Sequence, residues 1–291
     1  MIRSLAETLH KKHSRFLQLK HPCAGRQPAP SSELLDEIIE GFWDILFPLR
    51  FHQKDLGTSD LPFITKKLKK TIPNLKKQIH RGLCFTCHEK SCRKCAQQAG
   101  ILTEKFLKTL PAIQERLASD VQAHYEGDPA STCTEETILC YPGILAITCH
   151  RIAHELYKLK VPLIPRMMTE LAHAKTGIDI HPGARIGKSF FIDHGTGVVI
   201  GETTIIGNNV RIYQGVTLGA KSFPLDENGK PIKGIDRHPI VEDDVIIYSE
   251  ATLLGRIRIG KGSIIGGNVW LVHDVPPGSR IVQSTKKGTS L

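Results

Sequence analysis

Long apolar runs are absent from this 291-residue sequence. No stretch approaches the roughly 18 consecutive apolar residues that a membrane-spanning helix needs. The first residues, Met1-Ile2-Arg3-Ser4-Leu5, lead into a basic stretch and lack the apolar core of a secretory signal peptide. We therefore expect a cytoplasmic protein without membrane association.

Aromatic residues are scarce, at 6% of the chain, and none is interleaved with the lysines of the most basic stretch, residues 66–70. Proteins that bind single-stranded nucleic acids combine cations with aromatic side chains on which bases stack. The net charge of +10 belongs mainly to residues 1–100. Without aromatic partners this charge favours a solvated helix face, so nucleic acid is not expected as a partner.

Four of the eight cysteines form two C-x-x-C pairs, Cys84 with Cys87 and Cys92 with Cys95. In a chain without an export signal, such pairs favour a metal or redox site over disulfides. Four thiolates would suit a tetrahedral structural zinc site, although the four-residue spacer is shorter than in zinc ribbons. Free thiols without a defined role are the favoured interpretation over the metal site, and the haem-attachment pattern C-x-x-C-H ending at His88 ranks below both.

The first 175 residues carry helical patterns. Residues 1–30 are polar, end in Pro28-Ala29-Pro30, and indicate a flexible basic arm. Residues 31–175 predict an all-helical domain that contains the cysteine cluster. Its first helix starts at the N-cap signal Ser31-Ser32-Glu33 and continues with apolar residues at helical spacing, and further helices are expected around 61–80, 101–118 and 135–159.

From Ile178 to Val275 a six-residue period replaces the helical one. Branched apolar residues recur every six positions, and glycine often follows them. Units of six residues are typical of short strands joined by corners, with three units to a turn of about 18 residues. We predict a parallel β-helix over residues 176–277, a protruding loop at 220–239 where the period is lost, and a short tail at 278–291.

Two interruptions of the repeat carry chemically active residues. Asp193-His194-Gly195-Thr196-Gly197 separates two repeats, and His194 is a candidate general base. Asp179 precedes His194 by about one turn, so its carboxylate could orient the imidazole. Arg237 and His238, at the end of the protruding loop, offer a fixed cation and a second imidazole.

Several motifs resemble those of the serine O-acetyltransferases, the hexapeptide-repeat enzymes of cysteine biosynthesis. The motifs are Asp-Ile-His-Pro at 179–182, Asp-His-Gly-Thr-Gly at 193–197, Gly-Val-Thr-Leu-Gly at 215–219 and Asp-Arg-His-Pro at 236–239. The resemblance extends from about Asp128 to Pro277 and is weaker over the helical part. It implies a left-handed β-helix and transfer of acetyl from acetyl-CoA to the hydroxyl of L-serine, which gives O-acetylserine.

The resemblance also implies roles for individual residues. His194 would be the general base, oriented by Asp179, with His238 beside the reacting centre. Asp128 and Asp193 would bind the amino group of serine, and Arg237 its carboxylate. The groove for acetyl-CoA would lie between adjacent prisms and be lined by Ser249, Gly267, Asn268 and Gly219. No metal is implied for catalysis.

The family's shared site implies a trimer or a dimer of trimers. Many members carry a longer tail that ends in isoleucine and inserts into O-acetylserine sulfhydrylase. This chain ends in Leu291, so we do not expect a tight complex with that enzyme.

Three other functions are open at this stage. Acetyl could pass to another small hydroxyl or amine, such as that of a sugar. A zinc carbonic anhydrase on this scaffold would need three converging histidines, and His181, His194 and His238 lack that spacing. A scaffold whose basic domain contacts nucleic acid would leave Asp179, His194 and Arg237 unexplained. Individually, Asp128 could cap the helix that follows it, and Arg237 could merely anchor the loop.

Overall fold

The computed structural model describes residues 1–16, 28–47, 61–87 and 93–283. Helices occupy the first part of the chain, and none of them in these ranges is long and apolar enough to span a membrane. Their bounds are α1 Ile2–Phe16, α2 Ser32–Leu46, α3 Leu61–Thr86, α4 Arg93–Leu107, α5 Leu110–Gly127, α6 Thr134–Cys140, α7 Pro142–Lys158 and α8 Ile164–Thr176.

Capping residues and prolines set the helix boundaries. The Ser31 hydroxyl accepts a hydrogen bond from the Leu34 amide at 3.1 Å and caps α2, as predicted. The predicted helical stretches at 101–118 and 135–159 are each divided in two, because Pro111 lies in the first turn of α5 and Pro142 begins α7. Proline is tolerated in a first turn, where its missing N–H has no partner to lose.

The basic arm expected at residues 1–30 is helical over Ile2–Phe16. Ile2, Leu5 and Leu9 recur at helical spacing, which accounts for the difference from a loose segment. All three side chains are exposed in the structure.

The cysteine cluster lies at the junction of α3 and α4. Cys84 and Cys95 are buried, Cys87 follows α3 and is half-buried, and Cys92 lies outside the described residues. A metal site at this cluster therefore stays a prediction.

Three parallel sheets follow the helices and form the sides of a prism. Sheet 1 contains β1 (Asp179–Ile180), β4 (Val199–Ile200), β7 (Thr217–Gly219), β10 (Thr252–Leu254) and β13 (Trp270–Leu271). Sheet 2 contains β2 (Arg185–Ile186), β5 (Ile205–Ile206), β8 (Ile240–Val241) and β11 (Arg258–Ile259). Sheet 3 contains β3 (Phe191–Ile192), β6 (Arg211–Ile212), β9 (Ile246–Ile247), β12 (Ile264–Ile265) and β14 (Arg280–Ile281).

The register confirms the predicted turn length and locates its interruption. Val199 pairs with Thr217, 18 residues later, but Asp179 pairs with Val199, 20 residues later. The two additional residues lie in the segment around His194. The second residue of each strand points inward, so that the isoleucine, leucine and valine rows are buried and fill the prism.

Two edges of the prism matter for the site. Corner A joins sheet 1 to sheet 2 and contains residues 181–184, 201–204, 220–239 and 255–257. Corner B joins sheet 3 to sheet 1 and contains residues 193–198, 213–216, 248–251 and 266–269. The protruding loop leaves the prism at corner A, and its descending end returns at β8.

A buried ion pair joins the helices to the prism. The Arg151 guanidinium of α7 donates two hydrogen bonds to the Asp120 carboxylate of α5, at 2.6 and 2.8 Å. It also donates to the carbonyls of Ile186 and Gly187 in the prism, at 3.3 and 2.7 Å. Asp120 in turn accepts from the Phe190 amide at 3.0 Å. Both side chains are almost fully buried, so each depends on the other for charge compensation.

His124, one turn after Asp120, makes a second joint. Its Nδ1 donates to the Asp120 carbonyl at 2.7 Å, and its Nε2 accepts from the Ile192 amide at 3.3 Å. This arrangement requires a neutral ring, since Nε2 has to keep its lone pair. Burial lowers the pKa of His124 from 6.5 to about 4, which keeps the ring neutral near neutral pH.

Removing the buried carboxylate should strongly destabilise the fold. We expect Asp120→Ala to lower the free energy of unfolding by about 3–5 kcal/mol, because it leaves Arg151 charged and buried without a partner. Urea denaturation at a fixed protomer concentration measures this effect. Glu7→Ala is the control, since it removes an exposed pair with Arg3 and should cost less than about 1 kcal/mol. Equal effects of the two changes would contradict the assigned role.

Acid should destabilise the protein through His124. Between pH 6.5 and about 4 the unfolded chain protonates this ring while the folded chain does not. The free energy of unfolding therefore falls with falling pH in this window, by up to about 3 kcal/mol from His124. We expect the pH dependence to be weaker in His124→Gln, whose amide can replace both hydrogen bonds without titrating. The exposed His273→Gln change should leave the dependence as in wild type.

Candidate active site

His194 stands on a strained corner of the prism. Its backbone φ is 55°, in the left-handed region that costs a non-glycine residue about 1–2 kcal/mol. Gly195 follows with a φ of 83°, and a Cβ there would lie 2.4 Å from Cδ1 of Ile178, so only glycine can occupy this position. The corner projects the imidazole outward, with 71% of the side chain exposed and Nε2 at 3.7 Å from the Asp193 carboxylate.

Asp128 lies at the C-terminal end of α5, on the side of corner B. Its carboxylate accepts hydrogen bonds from the Tyr141 hydroxyl at 2.6 Å and the Ala130 amide at 2.8 Å. The Tyr141 hydrogen bond, aided by the Ala130 amide and by the nearby His194, lowers the pKa of Asp128. The suggestion that Asp128 caps the next helix is wrong, because Cys133 occupies the N-cap of α6.

Asp179 does not contact His194 within the protomer, contrary to the expected pairing. The two additional residues of the corner shift the register, so Asp179 lies on β1 opposite Val199. Its carboxylate forms an ion pair with Arg166 of α8 at 3.5 Å. No hydrogen bond or ion pair joins Asp179 to His194 in the part of the chain that the structure describes.

Glu170, His173 and Asp179 form a group whose ligand atoms lie within 4.8 Å of one another. Such a set could in principle bind a cation. However, Arg166 already contacts both Glu170 and Asp179 and compensates their charge. We therefore assign no metal to this group.

Arg237 lies at corner A in a chain of polar contacts. Its guanidinium donates to the Glu202 carboxylate at 2.8 Å, and the Tyr157 hydroxyl donates to the same side chain at 3.1 Å. Burial raises the pKa of Glu202, but the hydrogen bonds from Arg237 and Tyr157 outweigh burial and lower the pKa overall. The base of the loop is held instead by Arg256, which donates to the carbonyls of Thr203 and His238.

His238 is held in one tautomer by Thr203. The Thr203 amide donates to Nδ1 of His238 at 3.1 Å, so the ring proton resides on Nε2. Burial, together with the charge of Arg237, lowers the pKa of His238 to about 4, and the ring is neutral near pH 7. Gly201 makes room for the ring, since a Cβ there would lie 2.1 Å from Cδ2 of His238. Corner A therefore presents a neutral N–H donor beside a fixed cation.

Most of the residues predicted for acetyl-CoA lie above His194 along corner B. Backbone hydrogen bonds connect the successive turns of this corner. The amides of Gly215, Glu250 and Asn268 donate to the carbonyls of Thr196, Gln214 and Ser249, respectively. Ser249, Gly267 and Asn268 therefore share one edge with the candidate base. Gly219 lies instead at corner A, where its carbonyl accepts from the Gly255 amide.

Four polar residues of the site were not predicted individually. Glu202 and Thr203 belong to the motif Gly-Glu-Thr at 201–203. This motif fits the regular six-residue repeat, so nothing in the sequence marked the two side chains separately. Tyr141 and Tyr157 come from α7 and its N-cap, far from the prism motifs in sequence. Their contacts with Asp128 and Glu202 depend on how α7 packs on the prism, which local patterns do not reveal.

The two halves of the candidate site lie on different edges of one prism. Corner B carries the candidate base His194, with the carboxylates of Asp193 and Asp128 beside it. Corner A carries the guanidinium of Arg237 and the N–H donor of His238. Sheet 1 lies between the two corners, so one protomer does not bring the halves together.

Comparison with known proteins identifies relatives over nearly the whole chain. No protein-family model matches the sequence. A plasmid-encoded serine acetyltransferase of Synechococcus elongatus is 54% identical over 263 residues, which cover 88% of this chain and 82% of the relative.

Solved structures agree with the sequence comparison. Serine acetyltransferase 1 of Entamoeba histolytica, in complex with L-cysteine, matches with a TM-score of 0.74 and 36% identity, covering 94% of this chain and 96% of that one. The serine acetyltransferase of Neisseria gonorrhoeae, in complex with serine, matches with a TM-score of 0.56 and 28% identity, covering 88% and 97%. These matches confirm the predicted helical part and left-handed β-helix. The chain belongs to the serine acetyltransferase family.

Proposed function

We propose that this protein transfers the acetyl group of acetyl-CoA to the hydroxyl of L-serine, with His194 as general base. The observation that carries the proposal is corner B, where His194 projects outward beside Asp193 and Asp128. Relatives in complex with serine or L-cysteine support an amino-acid ligand over a sugar. Arg237, a cation suited to a carboxylate, supports the same choice.

The active site is completed between two protomers. His194 stands on corner B and Arg237 on corner A of the same prism, with sheet 1 between them, so neither corner alone offers a base and a carboxylate clamp. A trimer with threefold symmetry would place corner B of one prism against corner A of the next. The exposure of the His194 side chain, 71% in the protomer, supports such an interface. Helical parts could pair two trimers into a hexamer.

Charge complementarity orients the substrate across this interface. The carboxylates of Asp128 and Asp193 suit the ammonium group of serine. The guanidinium of Arg237 suits the serine carboxylate and is held in place by Glu202. Two fixed contacts at opposite ends of serine would direct its hydroxyl toward His194.

The reaction then requires one proton transfer and one addition. The imidazole of His194 takes the proton of the serine hydroxyl as its oxygen attacks the thioester carbonyl carbon. The tetrahedral oxyanion collapses, the carbon–sulfur bond breaks, and the CoA sulfur leaves and takes the proton from His194. His238, neutral and with its proton on Nε2, is suited to donate a hydrogen bond to the oxyanion or to serine.

Asp179 keeps its proposed role in orienting His194 only if its carboxylate can leave its present partner. Its carboxylate is engaged by Arg166 in the protomer, so the role requires Asp179 to exchange this partner in the assembled site. Asp193, at 3.7 Å from Nε2 of His194, is the carboxylate already beside the ring.

Acetyl-CoA would lie along corner B. Ser249, Gly267 and Asn268 continue the edge beyond His194, and small side chains there allow close approach of the pantetheine arm. Gly219, at corner A, would face the same groove from the neighbouring prism. None of these proposed steps requires a metal.

The proposed substrate can be tested by thiol release from acetyl-CoA. We expect L-serine to give CoA release well above L-homoserine, which is longer by one methylene, and above buffer alone. The discrimination should be about 10- to 200-fold, the usual effect of one methylene in a fitted site. If folded protein releases no more CoA with serine than with buffer, the proposed function is wrong.

The shared site can be tested by mixing two inactive variants. His194→Ala should lose about 10²- to 10⁴-fold in kcat, because the general base is missing. Arg237→Ala should lose most of its activity at moderate serine concentrations, because the clamp is missing. In trimers assembled from equal amounts of both variants, about one interface in four combines an intact His194 with an intact Arg237. We therefore expect about a quarter of wild-type activity after joint refolding.

The control for the mixing experiment is each variant refolded alone, together with His273→Ala, an exposed histidine to which no step of the reaction is assigned and whose loss should leave full activity. If the active site lay within one protomer, the mixture would recover nothing. Full activity of His194→Ala alone would refute the proposed base.

A further inference from the structure

A large cleft lies beside sheet 2 and reaches corner A at Gly183, but none of the residues to which the proposed reaction assigns a role lines it. It has a volume of about 940 Å³ and separates the C-terminal end of α7 and the segment leading into α8 from the outer face of sheet 2. This size is typical of sites for small organic molecules. Of the residues assigned to the proposed site or contacting it, only Tyr157 lines the cleft.

Positive charge surrounds the cleft. Arg116, Lys158, Lys160 and Arg185 line it, and no carboxylate does. Lys158 forms an exposed pair with Glu155. Arg116, Lys160 and Arg185 have no ion-pair partner within the described ranges. Four cations around one unoccupied volume favour an anionic ligand.

Two of these cations also affect His154, which lines the cleft. Burial is the main cause that lowers the pKa of His154, and the charges of Lys158 and Arg116 add to it. The neutral ring donates through Nδ1 to the Pro182 carbonyl at 2.8 Å. Its Nε2 therefore keeps a lone pair as a hydrogen-bond acceptor.

Part of the cleft lining is apolar. Ile205 points outward from sheet 2 and lines the cleft beside Ile186 and Ile206, whose side chains point into the prism, and Val161 and Pro162 line it as well. Inorganic anions are strongly hydrated and gain little from such a surface, whereas an organic anion can bury its apolar body there. The combination of a partly apolar lining with a cationic rim therefore favours an amphipathic anion.

We propose that this cleft binds a small organic anion, an aromatic or aliphatic body that carries one carboxylate or phosphate group, at a site separate from serine and acetyl-CoA. We expect the site to stay open in the proposed trimer, because its lining lies mainly on sheet 2 and α7, and Gly183 is its one residue of corner A. The proposal does not depend on the reaction assigned above.

Fluorescence of 8-anilinonaphthalene-1-sulfonate tests the proposal, because this dye combines an aromatic body with one anionic group. We expect saturable binding of one dye per protomer in the full chain. The double variant Lys158→Gln/Arg185→Gln should weaken dye binding by about tenfold or more, a loss of about 1.4 kcal/mol. Both side chains are exposed, so the fold should persist, and circular dichroism checks that it does.

The matched control is Lys66→Gln/Lys69→Gln, which removes two exposed cations from α3 and should leave dye binding unchanged. Displacement of the dye by benzoate would indicate a carboxylate ligand, and displacement by phenyl phosphate would indicate a phosphate ligand. Benzyl alcohol, which has an aromatic ring but no charge, should not displace the dye. Equal weakening by both double variants would overturn the proposal. Displacement of the dye by saturating acetyl-CoA would also overturn it, since the dye would then occupy the cosubstrate groove.

Discussion

The buried pair of Arg151 and Asp120 is the contact on which the rest of the architecture depends. It connects α5, α7 and two backbone carbonyls of the prism through charge-assisted hydrogen bonds, which are about twice as strong as neutral ones. Asp120 also holds the Phe190 amide, and His124 one turn later holds the Ile192 amide. Both contacts lie at the entry to the corner that carries His194. The position of the candidate base is therefore fixed partly by the packing of α5 and α7 on the prism.

The prism provides the second constraint. Regular 18-residue turns stack the corners at fixed heights, so a residue inserted at one corner changes that corner alone. The two additional residues lie at corner B, where His194 has a left-handed backbone and an exposed ring. The long insertion at corner A brings Arg237 and His238 back against Glu202 and Thr203. In both cases the repeat sets the frame, and its interruption supplies the functional side chain.

Much of this arrangement could be predicted from the sequence, for physical reasons. The six-residue period is a strong signal in the sequence, because inward positions tolerate only branched apolar side chains. The two places where the period is interrupted contain His194 and Arg237. The contact of Asp179 with Arg166 was not predictable, since it depends on how α8 packs against β1. Likewise, the helical spacing in Ile2–Phe16 is weak in a polar context, and the roles of Tyr141 and Tyr157 depend on tertiary packing of α7.

The placement of sheet 1 between the two half-sites has a consequence for gene dosage. In the proposed trimer each chain serves two active sites, as the source of the base in one and of the clamp in the other. A defect in either corner then removes one site per damaged chain, but a chain defective in both corners disables two. A cell that expresses normal chains together with doubly defective chains would lose more activity than the fraction of defective chains, so such an allele would behave as partly dominant.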